Sequence, residues 1–365
     1  MPKLRNIVKA LLPHGYMLAR KKNTFVREYL HWKEIGDVVT FDKECRFKTF
    51  VSVDGFGCSG SSAVMDLLRE YENCTVWASK PIFTSTKENF RSLGEMDLVR
   101  HPGGLLYLEH FIKHDYCYYH DTWGDAALKA FASMVFYSDI YRHFPETHRL
   151  FFHFFDNLIY QRLPSKVDLL NWYLNPFGNI TDMFSMKMMT LSEYHNLCRG
   201  LLYSLFNLIF DDSKGDILII DHIFGDCGYD MKHFNCILPG TKKIVVARDI
   251  RAVYVHANQK KLAWIAHDSV EEFLKWEKRM YLGHDFNDTS YLSLYFEDLV
   301  KDYDKQVERI EKYLGLSPKQ HVRSKEIFNP RISKKNISQW CSYSEHQEDC
   351  KRIRELAPIL CFKPT

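Results

Sequence analysis

Thr49-Phe-Val-Ser-Val53-Asp54-Gly55-Phe56-Gly57-Cys58-Ser59-Gly60-Ser61-Ser62 is the stretch whose reading decides the fold. An apolar run rich in β-branched residues breaks into a glycine and serine turn, and a helical pattern over Ser61 to Tyr71 follows. Strand, small-residue loop and helix in that order are the first half of a parallel crossover unit. Glycines let the backbone turn tightly and come close to an anion, and the helix N-terminus adds unsatisfied N–H donors with a positive dipole end. Ser59, Ser61 and Ser62 add hydroxyls. The loop therefore suits a phosphate-type group. No Gly-Lys-Ser/Thr closes it, which disfavours ordinary ATPase or GTPase chemistry.

Working outward, Asp216 to Asp221 and Lys243 to Ala247 read as further buried parallel strands, and Tyr291 to Phe296 as a fourth with more alternation. Helices are predicted at Ser269 to Met280, opened by a capping box of Ser269 and Glu272, and at Asp304 to Leu314, closed by Gly315. The fold class expected is α/β, a P-loop-like parallel sheet flanked by helices. A large helical insertion is expected at about residues 126–210. That stretch is dense in aromatics, among them Phe136, Tyr137, Phe151, Phe152, Phe154, Phe155, Trp172 and Tyr173. Rings at helical spacing are read as core.

Arg248-Asp249-Ile-Arg251-Ala-Val-Tyr254-Val-His256 runs off a strand into a helix, so Arg248 and Arg251 should share the sheet rim with the first loop. Guanidinium forks there suit a phosphate, and each could equally pair with a carboxylate such as Asp249. In Tyr295-Phe-Glu297-Asp298-Leu299, the two acids read as structural caps.

Of the 365 residues, 46% are hydrophobic and 26% charged, the balance of a globular protein with a sizeable core. No apolar run of about 18 residues could span a bilayer. The net charge of +3 is too small to argue for nucleic acid. Ten cysteines lack CxxC or Cys/His spacing, which points to reduced thiols in a cytoplasmic protein and to no structural metal. Residues 1–45 read as a basic, amphipathic segment. Leu4, Ile7, Val8, Leu11 and Leu12 recur at helical spacing among Lys3, Arg5 and Lys9, either packed on the body or touching the inner face of a membrane peripherally. That segment lacks the apolar run and cleavage site of a secretory signal. The rest, 46–365, is read as one α/β domain carrying the insertion.

Taken together, these segments resemble the sulfotransferases that use 3′-phosphoadenosine 5′-phosphosulfate (PAPS). Gly57-Cys58-Ser59-Gly60-Ser61-Ser62 resembles their loop for the 5′ phosphosulfate, and Arg248-Asp249-Ile250-Arg251-Ala252-Val253 their Arg-Asp-Pro-Arg-Asp-Val segment. Tyr295-Phe296-Glu297-Asp298-Leu299 and Tyr313-Leu314-Gly315-Leu316 follow in the same order as the family's later motifs. The resemblance covers about Thr49 to Leu316. It implies PAPS as co-substrate, with Arg248 at its 3′ phosphate, His256 where a serine often makes that contact, and Lys334 and Lys335 in a basic stretch closing over it. Cys58 stands where the family usually places a lysine or arginine; Lys80 and Arg100 are nearby candidates for that charge.

The resemblance further implies a base for the acceptor proton. Glu95 is the choice, ahead of Glu109, His101 and His110. The acceptor expected by analogy is a saccharide or glycolipid hydroxyl, with a small phenol or alcohol as the alternative. Two other readings are a non-catalytic nucleotide- or glycan-binding member of the fold, argued from Cys58, and a variant kinase.

Overall fold

The computed structural model describes residues 14–77, 98–99, 104–113, 121–163, 183–210, 215–223 and 234–362. Among them are seven strands: β1 Thr49–Gly55, β2 Cys74–Trp77, β3 Ile159–Leu163, β4 Met183–Met186, β5 Ile217–Asp221, β6 Lys242–Ala247 and β7 Leu292–Tyr295. The chain divides into two compact units, residues 47–78 with 212–365, and residues 1–46 with 79–211.

The first of these holds a five-stranded sheet in the order β2-β5-β1-β6-β7. Every pairing in it is parallel, with Val51 opposite Ile219 on one side of β1 and Lys242 on the other. The α/β class predicted from the strand patterns is thus the class observed. β1, β5 and β6 are buried along nearly their whole length, which is why they read as mostly apolar stretches without strict alternation. β2 has no such signature: it is a four-residue edge strand, three of whose residues are half-buried, and the sequence reading passed over it.

One face of the sheet packs Val51, Val53, Ile219, Ile244 and Val246 against Val64, Leu67 and Leu68 of the helix Ser61–Leu68 and against Val307, Ile310 and Leu314 of the helix Tyr303–Leu314. The helix Ser61–Leu68 stops short of the predicted Tyr71. The next residues have other work. Glu70, wholly buried, accepts from the N–H groups of Lys325, Ile327 and Phe328 and lies 2.7 Å from His321 Nε2. Tyr71 donates to Glu311 at 2.9 Å. Gly315 closes the Tyr303–Leu314 helix at φ 78°, as its sequence position predicts.

A second layer joins the helices Ile250–Lys260, Val270–Met280 and Gln347–Leu356 through Val253, Phe273, Leu274 and Ile353. Ser269 caps the Val270–Met280 helix by accepting from Glu272 N–H at 3.2 Å. The return half of the predicted capping box is missing, because Glu272 is exposed and its carboxylate faces Lys275 at 4.0 Å.

The other unit is mainly helical. Phe25, on the helix His14–Ile35, meets Phe131, Tyr141, Phe152 and Phe155 with ring centroids 5.3–6.5 Å apart. Phe151, Phe152, Phe154 and Phe155 are all buried, so these rings form core. Within this helical stretch β3 and β4 pair antiparallel. Thr190 and Glu193 form a complete capping box at the start of the helix Leu191–Ile209. No helix among the described residues is long and apolar enough to cross a membrane. Residues 1–12, read as a possible membrane-touching helix, lie outside the described residues.

Candidate functional site

The chain leaves β1 toward β2 on one side of the sheet and leaves β6 toward β7 on the other, so the strand order switches between β1 and β6. Ligands of open α/β sheets bind at such a crevice, beyond the carboxyl ends of the strands. The Gly55–Ser62 loop follows β1, and Arg248 follows β6 directly. The sequence placed both on one rim, and the topology makes them neighbours.

The loop holds a backbone that few side chains tolerate. Gly57, Cys58 and Gly60 have φ of 72°, 51° and 92°, all in the left-handed region. At Gly60 a Cβ would lie 2.7 Å from the Phe296 ring, and at Gly57 it would lie 3.0 Å from both Trp264 and Trp276. Buried Ser59 accepts from Phe56 N–H at 3.2 Å and pins the turn. Gly60 then caps the Ser61–Leu68 helix through its backbone, with Ala63 N–H donating to the Gly60 carbonyl at 2.9 Å. Among the described residues, no backbone carbonyl accepts from the N–H groups of Gly57 to Ser62. Free N–H groups at a helix N-terminus are donors of the kind an anion takes up.

Arg248 is buried, 8% exposed. One arm donates to the Cys58 carbonyl at 3.2 Å and another to the Asn336 carbonyl at 2.8 Å, while its Nε meets no acceptor among the described residues. Its guanidinium also faces the Phe296 ring at 5.2 Å. A cation therefore lies at the loop even though Cys58 carries none. Burial lowers the arginine's pKa from its ordinary value, opposed by nearby Glu297. Burial likewise raises the Cys58 thiol, so residue 58 carries no charge at neutral pH.

His256, half-buried on the helix Ile250–Lys260, is held below the usual imidazole range by burial and then by the charges of Arg248 and Lys260. Lys334 and Lys335 are exposed in a short turn, Lys334–Asn336, whose last carbonyl is the one Arg248 holds. The structure thus brings Gly57, Cys58, Ser59, Gly60, Ser61, Ser62, Arg248, His256 and the Lys334–Lys335 turn to one region. Arg251 has a different task. It grips Asp249 at 2.9 and 2.5 Å and stacks over Trp340 at 3.9 Å, a structural pairing.

Glu297 is structural in its contacts, accepting from Asp249 N–H at 3.0 Å. Burial pushes its carboxyl up to about 7. Glu95, Lys80, Arg100 and His101 lie outside the described residues. His110 is exposed, and Glu109 is buried 3.2 Å from His195 Nε2 in the helical unit. Among the described residues, no group of three or more His, Cys, Asp or Glu could hold a metal ion.

Glu277 was missed by the sequence reading. It is wholly buried on the helix Val270–Met280, and neither carboxylate oxygen meets a donor among the described residues. The available signal was its place in the pattern Val270, Phe273, Leu274, Glu277, where an acid occupies an apolar position.

No family model matches the chain, and no curated protein matches it. Among solved structures, the chain is similar to the sulfotransferase domain from the Synechococcus PCC 7002 olefin synthase, at 11% identity and a TM-score of 0.38, over 90% of this chain and 100% of that one. A likeness at that level carries no residue roles with it.

Proposed function

We propose that the chain binds PAPS at the Gly57–Ser62 loop and transfers its sulfuryl group to a hydroxyl of a saccharide or glycolipid acceptor. The observation that carries this reading is Arg248, a buried cation joining the loop carbonyl of Cys58 to the Lys334–Asn336 turn at the strand-order switch. Loop N–H groups suit the 5′ phosphosulfate, while Arg248, His256, Lys334 and Lys335 suit the 3′ phosphate. In the transfer the acceptor oxygen attacks sulfur in line, the bond from sulfur to the bridging oxygen breaks, and negative charge builds on the departing 5′ phosphate. That charge meets the loop donors and the helix N-terminus. Glu95 is the proposed base for the acceptor proton, and the proposed setting is the cytoplasm, with residues 1–12 touching the membrane face where a lipid-linked acceptor would sit.

The test is thermal shift with adenosine 3′,5′-bisphosphate against AMP and ATP, since a ligand selective for the folded state raises the melting temperature. Preference for the 3′ phosphate is expected, and its absence would remove the reading. Transfer from labelled donors, with and without magnesium, then separates sulfuryl from phosphoryl transfer. Glu95→Gln should abolish transfer while leaving nucleotide binding intact. The uncharged thiol of Cys58 favours a second reading, a binding module without catalysis; that reading holds if only Cys58→Lys transfers sulfate.

A further inference from the structure

Trp264 follows the helix Ile250–Lys260 in a tightly built turn. Lys261 is left-handed at φ 49°, Leu262 N–H donates to the Ala257 carbonyl at 3.1 Å, and Ile265 N–H donates to the Leu262 carbonyl at 3.1 Å. Ile265 takes the core position at 1% exposure, and Trp264 beside it is 57% exposed. The indole is nevertheless held. Two carbons of its six-membered ring lie 3.0 and 3.4 Å from where a Gly57 Cβ would stand, and the half-buried Trp276 ring lies 3.0 Å from the same point. The two indoles meet at 64° with ring centroids 6.4 Å apart. An exposed apolar side chain is ordinary by itself. This one is braced at its rim against the Gly57–Ser62 loop, so a ligand stacking on it orders few new groups.

The loop has different neighbours at its two ends. From Cys58 to Gly60 it is flanked by Arg248, which holds the Cys58 carbonyl and lies over the Phe296 ring that crowds Gly60. At Gly57 the neighbours are indoles. A donor whose phosphates take the loop N–H groups and the Arg248 side leaves the Gly57 end to the other reactant. An open indole offers one apolar surface with water around it. A phenol or an alkyl chain gains most where it is enclosed on all sides. A pyranose ring has one face of C–H groups and a rim of hydroxyls that stay hydrated, so a single exposed indole suits it.

We propose that Trp264 is the platform on which a pyranose ring of the acceptor stacks, at the Gly57 end of the loop, and that it thereby selects a saccharide over a phenol. This rests on the proposed function, which puts the sulfuryl donor on the loop and the acceptor beside it.

The test is saturation-transfer NMR and titration of the full chain, with and without adenosine 3′,5′-bisphosphate. The probes are the methyl β-glycosides of glucose and N-acetylglucosamine and, separately, 4-methylphenol, each against wild type, Trp264→Phe and Trp264→Ala. A glycoside should bind the wild type, with saturation strongest at the axial C–H protons of one ring face. Trp264→Ala should weaken it about tenfold and remove that pattern, since the stacking surface is gone. Trp264→Phe keeps a smaller ring and should fall between the two. Bisphosphate affinity should be the same in all three proteins.

Wild-type glycoside affinity in Trp264→Ala overturns the proposal, as does binding of 4-methylphenol where neither glycoside binds. If Trp264→Ala weakens the bisphosphate as much as the glycoside, the indole serves the nucleobase and the proposal falls. Bisphosphate binding with no glycoside binding removes the platform and leaves the donor site standing. Glycoside binding that depends on Trp264 in a chain that does not bind the bisphosphate sinks the proposed function and leaves the platform. Binding of no probe overturns both.

Discussion

Arg248 Nη2 donates to the carbonyl of Asn336 at 2.8 Å, joining the end of β6 to a turn 88 residues later. The same guanidinium holds the Cys58 carbonyl. One planar cation thus sets the spacing between the loop and the Lys334–Asn336 turn, which a lysine's single ammonium has no fork to do. Arg248→Lys should weaken adenosine 3′,5′-bisphosphate by roughly 10- to 100-fold, the cost of losing one or more charge-assisted bonds. Calorimetry reads this directly. Unchanged affinity would remove Arg248 from the binding site.

Gly60 separates backbone strain from steric collision. Its φ of 92° already disfavours a side chain, and a Cβ there meets the Phe296 ring at 2.7 Å. Gly60→Ala should cost about 2–4 kcal/mol, combining left-handed strain with overpacking. Gly240 has φ 76° and nothing within 4 Å of a Cβ, so Gly240→Ala should cost only about 1 kcal/mol. Urea unfolding of both variants gives the comparison, and equal losses would show that Phe296 yields freely.

Glu70 anchors the segment that leads to the Lys334–Asn336 turn. Its carboxylate takes three backbone N–H groups and faces His321, all buried or partly buried. Glu70→Ala leaves those donors unsatisfied and should cost about 3–5 kcal/mol. Increased proteolysis across residues 321–336 is expected alongside the lower urea midpoint. A variant as stable as wild type would mean that the segment is held by its apolar contacts alone.

Glu297 makes stability depend on pH. Its carboxyl titrates near 7 in the folded chain against an ordinary 4.5, so between those values the folded state holds a proton that the unfolded state has lost. Stability from this group is full below about pH 4.5, declines as pH rises toward 7, and then levels off. The decline is on the order of 3 kcal/mol. Glu297→Gln keeps an acceptor for Asp249 N–H and should flatten the unfolding free energy over that range relative to wild type. Parallel pH profiles for the two proteins would contradict the assignment.

Much of the sheet was legible because its signals are local. Thr49–Gly55 and Lys242–Ala247 are mostly apolar and do not alternate strictly, since parallel strands covered on both faces need no alternation. β2 was hidden: an edge strand of four residues gains its identity from pairing Thr75 opposite Leu218, a contact no window of sequence contains. β3 and β4 were hidden for the same reason. Glu272 shows the limit of a local motif, because an exposed acid satisfies its neighbour's cap only if no other partner competes.

The loop Gly57–Ser62 and Arg248 were each readable, one as a small-residue turn before a helix and the other as a cation at a strand end. Sequence alone determined that such groups exist and lie at carboxyl ends of parallel strands. It could not determine that β1 and β6 are adjacent, with the strand order switching between them. Nor could it determine that Arg248 holds Asn336, or that Glu277 lies buried with no donor among the described residues. Those relationships depend on side chains and strands far apart in the chain meeting through packing. The chemistry of each residue is local, but its partners, burial and proton affinity come from the fold around it.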